Sequence, residues 1–196
     1  VCARPRPSYV VQGCRAGGTG SIASEGTIFT VEDTKMPTAG VVSPAGVLGA
    51  DSLPITVGET VHAAIDHLRR ERIRRNHTAT HILQWALRLV LGEHVKQSGS
   101  FVSPERLRFD FTHFEGMTPD QLAKVERMVN AKIMEDHPVR AYETSLASAR
   151  EAGVTALFGE KYGDVVRVLE IGNFSKELCG GTHVARTTEI GLLRIL

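Results

Sequence analysis

The stretch Arg75-Asn76-His77-Thr78-Ala79-Thr80-His81-Ile82-Leu83 sets the reading of the whole chain. Around it, from about Arg69 to Leu91, the apolar residues Ile73, Ala79, Ile82, Leu83, Ala86, Leu87 and Val90 recur at three- and four-residue spacing, which predicts an amphipathic helix. Gly92 supplies its stop. His77 and His81 are four apart, so on a helix they share one face and two imidazoles can converge on one ion. No glutamate follows His77, so the pair lacks the built-in base of the metalloprotease form.

Outward from this helix the pattern changes on both sides. Residues 1–21 are rich in Pro, Arg and Gly and read as a poorly defined lead-in. Residues 22–66 carry short strands at Gly26–Val31, Gly40–Val42 and Thr60–Ile65, punctuated by Gly and Pro, which predicts a small β-barrel. Residues 67–196 form the second domain. In it, Ser100–Val102 and Arg106–Phe111 pair as a hairpin, the latter alternating Leu107, Phe109 and Phe111. Thr118-Pro119-Asp120-Gln121 opens a second helix with a capping box and a proline at its first position, running to about Glu135 before Pro138. Val139–Tyr142 and Val165–Ile171 read as strands around a short helix near Leu146–Glu151. The expected class is α+β: a small β-barrel, then an α+β domain with a mostly antiparallel sheet and helices.

The bulk properties fit a soluble globular protein: 196 residues, 42% apolar and 23% charged. No stretch approaches the roughly 20 apolar residues of a membrane helix. A net charge of +1 argues against a dedicated duplex-DNA binder, so any nucleic-acid contact must be local. Three cysteines are too few for a disulfide framework and fit a reducing cytoplasm. The chain starts at Val1 and stops inside the apolar run Ile190–Leu196, which reads as a strand cut short and the chain as a piece of a longer protein.

A second constellation is Cys179-Gly180-Gly181-Thr182-His183. The two glycines argue against a helix and permit a turn that brings Cys179 and His183 to one point. Thiolate and imidazole make a good zinc pair. Together His77, His81, Cys179 and His183 supply a complete tetrahedral set for one zinc ion. Gln97, in Val95–Ser100, offers both donor and acceptor, and its segment also reads as a polar hairpin turn. The basic run Arg69, Arg70, Arg72, Arg74 and Arg75 reads either as a phosphate-holding patch or as a solvated helix face. Lys161 and Lys176 are candidates for the same patch.

The order of Arg75–Leu83, Gln97-Ser98-Gly99-Ser100, Leu107-Arg108-Phe109-Asp110-Phe111, Ala156-Leu157-Phe158-Gly159-Glu160-Lys161-Tyr162-Gly163 and Glu177-Leu178-Cys179-Gly180-Gly181-Thr182-His183 resembles the editing domain of bacterial-type alanyl-tRNA synthetase, which also exists as free-standing editing proteins. The resemblance covers roughly residues 22–196. It implies zinc on His77, His81, Cys179 and His183, and editing roles for Thr80 and Gln97 beside Cys179. It implies hydrolysis of seryl- and glycyl-esters of the alanine tRNA, with the tRNA and the remaining synthetase chain as partners. The alanine-activating domain with its ATP site would lie N-terminal to residue 1. One departure is Gly17-Gly18-Thr19, where the family carries Gly-Gly-Gln after an aromatic-rich segment.

Selectivity explains why such a synthetase needs a second site. An alanine pocket rejects glycine by only about 1–3 kcal/mol, and rejects serine only within a factor of about 10². A site that hydrogen-bonds the seryl hydroxyl inverts the preference, and Thr80 and Gln97 are the candidates for that contact. Four protein ligands make a closed zinc site, whereas catalytic sites usually keep one position open. The glycine turn marks Cys179 and His183 as the looser half. Two other readings stand beside this one: the related editing domain of threonyl-tRNA synthetase, and a non-catalytic zinc-stabilised tRNA-binding module.

Overall fold

The computed structural model describes residues 16–38, 41–155 and 163–196. These residues divide into two compact units, one of residues up to Ile73 with Phe101–Glu105, the other of Arg74–Ser100 with Arg106–Leu196.

In the first unit, β1 (Gly20–Ser24), β2 (Thr27–Thr38), β3 (Val41–Leu48) and β4 (His62–Ile65) form an antiparallel sheet in the order β3-β2-β1-β4. β1 and β2 meet through a two-residue turn, with Ser24 opposite Thr27 and Gly26 at φ +76°. Along β2 the inward positions run Thr27, Phe29 and Val31, then shift to Thr34. The register break between Val31 and Asp33 causes that shift, because one extra residue in a strand swaps which side faces the core. Thr34 is fully buried and its hydroxyl donates to the Gly18 carbonyl at 2.7 Å.

The expected small barrel needs correction. Among the described residues the four strands form an open sheet, because β3 and β4 are its two edges and do not pair. β3 carries Pro44, which has no N–H to donate and suits an edge. The sheet is also longer than its sequence signal: β2 continues to Thr38, and β1 carries little signal because Ile22 is its only strongly strand-forming residue. Gly40 lies outside the described residues.

α1 (His67–Leu91) starts two residues before the predicted point. Asp66 caps it, its Oδ1 accepting from the Arg69 N–H at 2.9 Å. Gly92, at φ +117°, ends it as expected. β5 (Gln97–Val102) and β6 (Leu107–Phe111) form the predicted hairpin. α2 (Pro119–Met134) has the full capping box: Thr118 accepts from the Gln121 N–H and the Gln121 side chain accepts from the Thr118 N–H. β7 (Val139–Ser145), β8 (Val165–Ile171) and β9 (Ser175–Leu178) form an antiparallel sheet in that order, with α3 (Leu146–Glu151) between β7 and β8 in sequence. The architecture is mixed α and β with antiparallel sheets, as the class predicted.

The main core lies in the second unit. Ile82, Leu83, Ala86 and Leu87 of α1 meet Val125, Val129 and Ile133 of α2 and Leu169 and Ile171 of β8. The central strand β8 is buried on both faces along Val166, Val168, Leu169 and Ile171, which is why it reads as a continuous apolar run. This packing fixes α1 against β8 and β9, and so fixes the histidine face against the cysteine loop.

The apolar run at the C-terminal end is not a strand. After a 3-10 turn at Thr187–Ile190 the chain runs along α2, held by its side chains. Asn130 Oδ1 accepts from the Leu193 N–H and its amide donates to the Leu193 carbonyl, both at 2.9 Å, while Glu126 accepts from the Ile195 N–H at 2.7 Å. Polar side chains of a helix satisfy the backbone that a neighbouring strand would otherwise satisfy.

Candidate metal centre

The helical spacing places His77 and His81 on the inward face of α1, where they are 8% and 6% exposed. β9 ends at Leu178, and Cys179 follows with its N–H bonded to the Arg167 carbonyl of β8 at 3.0 Å. The two glycines then turn the chain so that His183, 8% exposed, returns to the same point. The candidate ligand atoms of His77, His81, Cys179 and His183 all lie within 4.8 Å of one another. The structure thus brings the four predicted ligands together.

Each ring is aimed by its second nitrogen. His77 Nδ1 lies 3.1 Å from the Thr182 carbonyl. His81 Nδ1 lies 2.7 Å from Glu177 Oε2. His183 Nδ1 lies 3.3 Å from Thr78 Oγ1. With Nδ1 so engaged, Nε2 of every histidine is left for the centre, the arrangement by which outer groups orient metal-bound imidazoles.

The donor set fits a metal on two observations. His81 Nε2 is buried and has no hydrogen-bond partner among the described residues, a costly state for a polar atom unless an ion takes it. Cys179 Sγ lies 3.6 Å from His77 Nε2 and 3.3 Å from His183 Nε2. Bond lengths of about 2.3 Å to sulfur and about 2.0 Å to nitrogen at a tetrahedral ion place such atoms roughly 3.5 Å apart. The cluster could therefore hold a metal ion.

Its electrostatics without the ion are those of a coupled buried set. Burial opposes charge on His81, but the Glu177 carboxylate and the Cys179 sulfur outweigh it and raise the imidazole to about 10. Burial likewise opposes a thiolate at Cys179, but its contacts with His183, His77 and His81 hold the thiol far below the ordinary range. Burial pushes His183 down to about 3. At neutral pH the thiolate and the neutral His183 are ready to bind, while His81 carries a proton that an ion must displace. Metal binding should therefore release about one proton per ion, and affinity should fall about tenfold per unit as pH drops below 10. Calorimetric Zn²⁺ titration in two buffers of different protonation enthalpy checks this; a release of no protons contradicts it.

Several residues that complete the centre lacked a sequence signal strong enough to single them out. Glu177 is 5% exposed and also accepts from Ser175 Oγ at 3.3 Å. Its position two before Cys179, at the end of a strand, was the available clue, because strand residues two apart share a face. Arg167 Nη1 donates to the Cys179 and Gly181 carbonyls at 2.9 and 2.7 Å. Arg74 Nε donates to the His183 carbonyl at 2.5 Å. The glycine turn is thus tied down on both sides by guanidinium groups.

The other predicted residues sit as follows. Thr80, 4% exposed, donates its hydroxyl to the Asn76 carbonyl one turn earlier at 2.9 Å. Gln97 begins β5, half-buried, with its amide donating to Ser100 Oγ at 2.9 Å. In the basic run Arg72 and Arg75 are exposed, while Arg69, Arg70 and Arg74 are half-buried. Lys176 pairs with Glu170 at 2.9 Å. Lys161, with the rest of residues 156–162, lies outside the described residues.

Comparisons with known proteins agree with this arrangement. The family described as threonyl and alanyl tRNA synthetase second additional domain matches residues 166–196, the stretch that carries Cys179 and His183. The chain is 50% identical to alanine–tRNA ligase 1 of Lachnoclostridium phytofermentans over 97% of its own length and 21% of that protein's. It is 46% identical to an alanine–tRNA ligase of Legionella pneumophila (97% of this chain, 22% of that one) and 50% identical to that of Bordetella petrii (97% and 21%). With about half its residues shared along nearly its whole length, the chain is similar to a segment of these alanine–tRNA ligases and spans about one-fifth of the length of those relatives.

Proposed function

We propose that this chain hydrolyses the ester bond of mischarged tRNA, with seryl- and glycyl-tRNA of the alanine acceptor as substrates and one zinc ion held by His77, His81, Cys179 and His183. The observation that carries the reading is the buried four-donor cluster, formed in part by the segment that matches the additional domain shared by threonyl and alanyl tRNA synthetases. When bound, zinc supplies Lewis acidity toward a carbonyl or a water molecule. The chain's own residues do the rest. Glu177, Thr78 and the Thr182 carbonyl hold the imidazoles in one tautomer. Arg167 and Arg74 fix the loop that bears Cys179 and His183. Thr80 and Gln97 recognise the seryl hydroxyl, and the exposed Arg72 and Arg75 lead the basic run in holding tRNA phosphates. In this reading residues 67–196 form the editing domain after a small antiparallel-sheet domain at 22–66, within a cytoplasmic ligase that joins alanine to its tRNA using ATP. Among the described residues no helix is long and apolar enough to cross a membrane.

A second reading has its own support. Four protein donors fill a tetrahedron and suit a structural ion, which favours a zinc-stabilised tRNA-binding module. Deacylation of seryl-, glycyl- and alanyl-tRNA by the chain separates the two. Hydrolysis of the first two should exceed that of alanyl-tRNA by about 10² and fall at least tenfold on chelation of the metal. Binding of all three without hydrolysis supports the module instead.

A further inference from the structure

A cleft of about 150 Å³ lies beside the metal centre in the second unit, between Gln84, Trp85 and Arg88 of α1 and Phe174, Lys176 and Glu177 around β9. Glu177 joins the two sites, since it lines the cleft and its carboxylate holds His81. None of the residues discussed above accounts for Gln84. Its side chain is 5% exposed, lines the cleft, and makes no hydrogen bond to any other described residue. Its amide atoms reach the solvent of the cleft rather than being buried unpaired, which leaves both donor and acceptor available to a ligand there. Arg88, one turn further along the same helix face, makes no ion pair or hydrogen bond from its side chain to any other described residue. Trp85 and Phe174 pack against each other at 4.9 Å between ring centres, tilted by 58°, with Lys132 Nζ 5.6 and 5.2 Å from the two ring centres.

We propose that this cleft is a nucleotide subsite, which takes one base and its phosphate from the RNA whose ester end reaches the metal centre. Three chemistries point the same way. An amide that both donates and accepts matches the edge of a base. An unpaired guanidinium matches a phosphate. Aromatic side chains serve as a stacking surface for a base. The volume admits one ring, not a chain of residues. The site rests on the proposed RNA substrate and deepens it: the position of the cleft beside His81 gives the reaction a way to align the strand before the ester is cut.

Trp85 is the only tryptophan of the chain, so its fluorescence reports on the cleft directly. Titration of the metal-loaded protein with adenosine and cytidine 5′-monophosphates should give a saturable change. Gln84→Met, which keeps the volume and removes the amide, and Arg88→Ala should each weaken binding about tenfold. Circular dichroism and metal content should be unchanged in both. Absence of a saturable change, or equal affinity in all three proteins, overturns the subsite. So does equal competition by inorganic phosphate, which indicates anion binding alone, and a response only to serine amide, which indicates an amino-acid pocket. Nucleotide binding by a protein that fails to deacylate any tRNA leaves the subsite standing and sinks the proposed hydrolysis, so the two readings fail separately.

Discussion

Gly181→Ala is expected to lower metal affinity about a hundredfold or more, the upper range for disturbing a group that supports a ligand, while Gly180→Ala leaves it unchanged. The two glycines are adjacent and look alike in the sequence, but their surroundings differ. A Cβ at Gly181 would lie 2.0 Å from Cε1 and 2.5 Å from Nδ1 of His77. That contact is far inside any tolerable separation, so the ring must move. The ring belongs to one of the four candidate ligands, and its Nδ1 is held by the Thr182 carbonyl on the same loop, so it has no free direction to yield. A Cβ at Gly180 meets nothing within 4 Å, and that residue is exposed. Competition with a chromophoric chelator measures both variants. Equal affinities for the two would show that the loop opens freely and that His77 does not pack on Gly181.

Glu177→Ala is expected to weaken metal binding about 10–100-fold, the range seen when the outer partner of a metal-bound histidine is lost. Two effects add. His81 loses the acceptor that fixes its Nδ1–H tautomer and turns Nε2 inward. The buried imidazole is then left with an unpaired N–H, which costs about 1–3 kcal/mol. Glu177→Gln keeps an acceptor at the same place without the charge and should recover part of the affinity. It should also lower the pH at which His81 gives up its proton, because the carboxylate is a main cause of its rise to about 10. An NMR titration of His81 in the metal-free protein reads that shift. A role confined to packing would leave the titration where it was, and would make glutamine as harmless as the native residue.

Much of the architecture was legible from local pattern. The α1 period, the Gly92 stop, the Thr118–Gln121 capping box and the alternation of Leu107, Phe109 and Phe111 all depend on neighbours within a few residues, and each produced the element it predicted. The elements that local pattern does not announce share a cause. β1 has weak strand composition and exists because β2 and β4 pair with it on both sides. The register break in β2 moves Thr34 inward, which no alternation announces. The run at 190–196 is extended chain satisfied by Asn130 and Glu126 of a distant helix, so its apolar pattern alone suggested a strand.

The same division runs through the metal centre. The sequence by itself determined which four side chains can bind, because donor type and four-residue spacing are local properties of a helix and of a glycine turn. It also determined that Cys179 and His183 need a turn rather than a helix between them. Only the tertiary structure decided that these two pairs meet, because packing of α1 on β8 and β9 brings together residues about a hundred positions apart. It alone assigned Glu177, Thr78 and Thr182 to the three imidazoles, set Arg167 and Arg74 on the loop, and distinguished Gly181 from Gly180. Those roles depend on distance in space and on burial from water, and neither is encoded in the spacing of residues along the chain.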